Sequence, residues 1–194
     1  MKKTLLLLTF LLLGILDGFS QSEKNDLKLT VSALPLFGSS EGFQSGINGI
    51  VIKPSIGYFI SDKTSIDLNF SYATLDDLKV GDVNSYYNAY ALIPTLRNNF
   101  VNTQALRVFA EFGFGLGTIK YNADNNDFQN AQHGELSGGI SVLNIGVGAN
   151  YYFNKKFGLE LIIPYISTKN ITSDSVNNLY SGVGPTIGLT YNLN

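Results

Sequence analysis

The chain has 194 residues, no Cys and no Trp, and only 14% of its residues are charged, with 13 basic and 15 acidic side chains. A net charge of −2 argues against a nucleic-acid partner. The absence of Cys excludes a disulfide framework and thiolate metal sites.

The amino terminus begins Met1, Lys2, Lys3, runs apolar from Leu5 to Leu16, and continues Gly18, Phe19, Ser20. A basic start, a short apolar centre and small residues before a cut define a secretory signal peptide over residues 1–20. Removing it leaves 11 basic and 14 acidic residues. The apolar run is too short for a membrane-spanning helix, which needs about 20 residues. Residues 21–194 then form one domain, with no Pro/Ser-rich linker or charge block to divide them.

Across that domain bulky apolar residues alternate with small or polar ones, the period of a strand with two unlike faces. Eight strands follow, near 27–37, 48–60, 65–75, 86–98, 105–120, 138–153, 157–168 and 180–193. The second sets Ile50, Ile52, Pro54, Ile56, Tyr58 and Ile60 against Val51, Lys53, Ser55, Gly57 and Phe59. The fifth sets Leu106, Val108, Phe112, Phe114 and Leu116 against Arg107, Phe109, Glu111, Gly113 and Gly115. The sixth sets Leu143, Ile145, Val147, Tyr151 and Phe153 against Asn144, Gly146, Gly148, Asn150 and Tyr152. The eighth sets Val183, Pro185, Ile187, Leu189, Tyr191 and Leu193 against Gly184, Thr186, Gly188, Thr190 and Asn192.

The connections alternate between short and long. Ser61–Thr64, Asn99–Gln104 and Asn154–Lys156 are short; the others run to about ten residues or more. Short turns on one side of a membrane and long loops on the other are the habit of transmembrane barrels, so both termini are expected on the periplasmic side. Tyr58, Phe100, Tyr151, Phe153, Phe157 and Tyr191 gather near the short turns. Phe37, Tyr72, Tyr86, Tyr90, Tyr165 and Tyr180 gather near the long loops, as two interfacial girdles would require. An eight-stranded barrel has an interior just wide enough for side chains to fill, which accounts for Gly on the inward face. The expected fold is therefore all-β, an eight-stranded antiparallel up-and-down transmembrane β-barrel with outer-membrane lipid as its surroundings.

With these faces and turns the sequence resembles the small outer-membrane β-barrel family, of the OmpA, OmpX and OmpW kind. Family members commonly finish on an alternating strand with a terminal aromatic residue; here the alternation is present and the last aromatic is Tyr191. The resemblance implies a part in envelope integrity, adhesion, resistance to host defences or solute passage, without choosing among them.

The inward charges are Lys28, Lys53, Asp67, Arg97, Arg107, Glu111 and Glu160. Buried charges require partners, so a Lys53–Glu111 pair is expected to plug the middle of the lumen, with Asp67 and Arg97 pairing nearer the short turns. Phe43, Asp77, Asp82, Asp127 and Asp174 in the long loops are candidate contacts for a surface ligand or an envelope protein. His133, with Glu135 and Ser137 nearby, lacks a nucleophile motif, so the chain reads as no enzyme. Asp124–Asp127 lacks the spacing of a calcium loop, and the Asn69 and Asn170 acceptor motifs do not suit a strand-rich membrane domain. No metal or cofactor site is expected. Two other readings remain open: a narrow channel for small or apolar solutes, and a soluble lipocalin-like barrel, which needs the bulky face inside.

Overall fold

The computed structural model describes residues 24–38, 47–76, 84–103, 105–124, 136–172 and 180–193. Nine strand segments are present: β1 Leu27–Gly38, β2 Ile47–Phe59, β3 Thr64–Asp76, β4 Asn84–Asn102, β5 Leu106–Asp124, β6 Leu136–Tyr152, β7 Phe157–Asn170, β8 Tyr180–Val183 and β9 Thr186–Asn192. The last two are halves of one strand, interrupted at Gly184–Pro185, and both pair with β7. Every strand pairs antiparallel with its sequence neighbour, and β9 pairs with β1, so the eight strands close into a ring.

Closure is what makes the alternating pattern tolerable in lipid, because every strand finds a partner on each side. Only past Ala33↔Ile187, where the same register sets Pro35 against Pro185, does no ladder join β1 to β8 among the described residues. The outward row of β5 carries Phe112, Phe114 and Leu116, each more than half exposed. The inward row of β1 carries Lys28, Thr30 and Ser32, all buried. A lipocalin-like arrangement is thereby overturned, since the bulky side chains coat the outside and polar ones fill the inside.

Side chains hold the short turns. The Oγ of Ser61 accepts from the Thr64 N–H at 3.1 Å, and Asn154 Oδ1 accepts from the N–H groups of Lys156 and Phe157, both at 2.8 Å. The Thr103 hydroxyl donates to the Leu106 carbonyl at 2.8 Å and closes the third. That turn is tighter than the sequence suggests, because β4 continues to Asn102. A bulge between Asn99 and Val101 shifts the β4–β5 register and turns Phe100 and Val101 outward together.

At the short-turn end Tyr58, Phe100, Tyr151, Phe153 and Phe157 all face outward. The rings of Phe157 and Tyr191 meet at a tilt, 4.8 Å between centroids, and those of Tyr151 and Phe153 meet edge-on at 5.6 Å. At the other end Tyr72 and Tyr90 pair at 5.0 Å across β3 and β4, and Tyr165 faces outward. Tyr180 departs from the expected girdle: it points into the lumen and is 5% exposed, packed on Leu34 and Val51. The side chains of Phe37 and Tyr86 lie outside the described residues, as do residues 1–20.

Candidate functional site

The lumen divides into a charged half near the short turns and an apolar half near the long loops. Arg97 on β4 is the hub of the charged half. Its Nη1 donates to Glu160 Oε2 at 2.5 Å and its Nη2 to Glu111 Oε2 at 2.8 Å. Its Nε lies 3.3 Å from Asp67 Oδ2, an ionic contact without hydrogen-bond geometry. One guanidinium thus faces three carboxylates, from β3, β5 and β7.

The ladder explains the reach of each partner. Arg97 and Glu111 are direct cross-strand neighbours on the inward face. Lys28, Gly57 and Asp67 form one row across β1, β2 and β3, and Gly57 leaves the space through which the Lys28 ammonium donates to Asp67 Oδ2 at 2.9 Å. A Cβ on Gly57 would collide with the Asp67 carboxylate. Ser65 donates to the other oxygen of Asp67 at 2.8 Å, and Asn144 donates to Glu111 Oε1 at 2.8 Å.

Lys53 approaches Glu111 Oε1 at 3.7 Å with its side chain 12% exposed, from the side of the apolar half. The expected Lys53–Glu111 pair is thus present, at the side of the cluster that borders the apolar half. Glu160, for which the sequence suggests no partner, has one in Arg97. Three cations, Lys28, Lys53 and Arg97, therefore balance three anions, Asp67, Glu111 and Glu160.

Aromatic rings pack beneath this cluster. The guanidinium carbon of Arg97 sits 3.9 Å from the Phe109 ring centroid. Arg107 lies 4.3 Å from the Tyr152 ring and 5.6 Å from the Phe59 ring, and its Nη1 donates to the Tyr152 hydroxyl at 2.9 Å. Phe59, Phe109 and Tyr152 are all but fully buried, and the Phe109 ring lies where a Cβ on Gly148 would be. Weakly hydrated guanidinium groups stack on such faces without losing their hydrogen bonds.

The apolar half is not implied by the alternation of faces. Ile93, Ile119, Ile140 and Val142 form one buried cluster and Leu34, Val51 and Tyr180 another. Between them is a cavity of about 70 Å³, bordered toward the charged half by Lys53, Asn144 and Thr186. Asn144 Oδ1 and Thr186 Oγ1 are buried and have no protein partner. An unmatched buried polar atom of this kind costs about 1–3 kcal/mol. The signal in the sequence is that runs such as Tyr90–Ile93 and Ile50–Ile52 are apolar on both faces.

The five candidate loop contacts, Phe43, Asp77, Asp82, Asp127 and Asp174, lie outside the described residues, as do His133 and Glu135; Ser137 is in β6. Among the described residues no group of three His, Cys, Asp or Glu side chains is arranged to hold a metal ion.

A closed eight-stranded ring with an apolar outer belt and a polar, ionic interior defines a small β-barrel of the outer-membrane class. Solved structures of that class are similar to it in fold. Neisserial surface protein A aligns with a TM-score of 0.57 and 16% identity, over 85% of this chain and 96% of that one. The attachment invasion locus protein Ail of Yersinia pestis aligns with a TM-score of 0.51 and 13% identity, over 88% of this chain and 99% of that one. A second structure of Ail, in complex with the heparin analogue sucrose octasulfate, aligns with the same TM-score of 0.51 and 12% identity, over 88% and 99%. No protein-family model matches the sequence, and comparison with curated proteins finds no match either.

Proposed function

We propose that this outer-membrane barrel is a non-enzymatic structural or surface-interaction protein, whose lumen is closed by side chains and whose long loops make its contacts. The observation that carries the reading is the Arg97 hub. One buried guanidinium held by Asp67, Glu111 and Glu160, with Lys28 and Lys53 flanking, occupies the lumen just where an aqueous path would have to pass. A channel would need those six charges to part and rehydrate, against the strong penalty for separating buried ion pairs.

The loop contacts in this reading include Phe43, Asp77, Asp82, Asp127 and Asp174. Four of these five are acidic, so as a set they suit a basic partner. Ail carries a polysulfated sugar in one of its structures; the acidic loop residues here favour the opposite charge in a ligand. Planar-bilayer recording of the purified full chain tests the closed lumen. The expected result is no sustained conductance at moderate voltage, and a steady ion-selective current would refute it.

A further inference from the structure

The short turns differ in charge. Lys155 and Lys156 are both exposed in the turn between β6 and β7, and among the described residues no ion pair engages either of them. Across the ring, the turn between β2 and β3 sets Asp62 beside Lys63, and the one between β4 and β5 carries no charge. At this end of β5, β6, β7 and β9 the acidic side chains among the described residues are Glu111 and Glu160, both buried in the lumen. The rim around Lys155 and Lys156 is therefore purely cationic.

The backbone holds the two lysines in place. Asn154 Oδ1 closes their turn by accepting from the N–H groups of Lys156 and Phe157. The last strand anchors it from the side: the Asn192 N–H donates to the Lys156 carbonyl at 2.8 Å, and the Asn192 side-chain amide to the Lys155 carbonyl at 3.4 Å. On the membrane side of the turn lies a row of rings on three adjacent strands. Phe153 and Phe157 face outward opposite one another, the Phe153 N–H donating to the Phe157 carbonyl at 2.9 Å, and Phe157 meets Tyr191 across β7 and β9. Tyr151 packs edge-on against Phe153.

An aromatic belt of this kind sits where hydrocarbon gives way to headgroups. Lys156 directly precedes Phe157 and Lys155 follows Phe153 by two positions, so their ammonium groups fall within the headgroup layer, about 5–8 Å thick on each face of a bilayer. We propose that the β6–β7 turn is a binding site for the phosphate of an anionic phospholipid in the periplasmic leaflet, gripped by Lys155 and Lys156, with its acyl chains starting over the Phe153, Phe157 and Tyr191 rings.

Charge selects the headgroup. A zwitterionic lipid would bring a cation of its own into a sector with no exposed carboxylate to receive it, whereas an anionic one brings none. The rings select a lipid over a free anion, which has no chains for them to cover. The tight turn keeps the lysines level with the headgroups and does not project them toward polymers of the periplasm. Because the backbone is fixed beforehand, binding orders only two side chains. Each lysine at such a surface contributes about a fivefold preference for the anionic lipid.

The test is a titration of the full chain in phosphatidylcholine nanodiscs that carry increasing fractions of phosphatidylglycerol, followed by NMR at backbone amides. Saturable shifts are expected at Lys155, Lys156 and Phe157, while Lys63 and Thr64 show only the linear drift of surface charge. Lys155→Gln and Lys156→Gln should each weaken the apparent affinity about fivefold and both together about twenty-fivefold, and Lys155→Arg with Lys156→Arg should retain it. A linear response at the three amides, equal saturation at Lys63 and Thr64, or glutamine variants that bind like the parent overturns the site. Saturation of the same amides by inorganic phosphate or by soluble peptidoglycan fragments, in nanodiscs of phosphatidylcholine alone, would assign the turn to a free anion or a cell-wall polymer and overturn the lipid. If a variant does not fold, the titration of the parent protein still decides the site.

Discussion

Arg97 and Lys53 differ in what they do, although both are inward cations on neighbouring parts of the lumen. Arg97 is buried and contacts three carboxylates, so Arg97→Met leaves uncompensated negative charge in a dry interior. The expected loss is about 3–5 kcal/mol, read by urea unfolding of the protein folded into lipid vesicles. Lys53 makes a single 3.7 Å contact and borders the cavity. Lys53→Met should cost less than about 1 kcal/mol in the same measurement. Equal losses for the two would show that the hub is shared and not centred on Arg97. Alternation alone puts these side chains on the inward face. It does not give partners, since those depend on strand tilt and stagger and on how far an Arg side chain reaches across a ring.

At the scale of the strand, the bulge at Asn99–Val101 decides more than a turn. The pairs Val101↔Val108 and Asn102↔Arg107 lie on one side of it and Arg97↔Glu111 on the other. If the register of Val101↔Val108 ran on without a bulge, Arg97 would fall opposite Phe112, which faces lipid, and the ion pair would be lost. Alternation shows Arg97 and Arg107 both facing inward, but the irregularity that reconciles them lies in a link that reads as a plain turn. Pro185 was likewise legible as an outward residue, while its meeting with Pro35 is a matter of register between the two ends of the chain.

That meeting has an observable consequence. The N–H groups of Phe37, Ser181 and Val183 point into the unpaired part of the seam, and those of Val31, Ile187 and Leu189 into the β1–β9 ladder. Hydrogen exchange in nanodiscs should be fast at the first three and slow at the second three. Uniform protection along both strands would mean that the ladder continues past the prolines. The outward rows can be tested as well. Val147 lies on the outward face of β6, more than half exposed. Val147→Arg puts a charge at the depth of the hydrocarbon and should lower stability by about 2–4 kcal/mol, whereas a negligible loss would place that row outside lipid.

For the whole molecule, closure of the ring through β1 and β9 predicts resistance to SDS. The unheated protein should migrate apart from the boiled one on a gel, and identical migration would argue against a closed ring. The ring, its antiparallel order and the outward face of nearly every strand could be read from the two-residue rhythm, because oil outside and a narrow interior leave few other solutions. The apolar half of the lumen could not. A barrel interior of this width accepts either small polar groups or branched aliphatic ones, and Ile93, Ile119, Ile140 and Val142 sit in stretches where the alternation of polarity fades.

The Arg97–Glu160 contact joins positions 63 residues apart on strands that are not neighbours. A half-assembled sheet entering the bilayer would hold Glu160 with no countercharge, at a depth where water is scarce. Neutralisation comes only when β4 and β7 curl to face one another, so partial insertion is penalised and complete insertion rewarded. The cluster thereby makes assembly close to all-or-none, with the curling of the sheet into a ring locking charges that separate strands had to carry in unstable form.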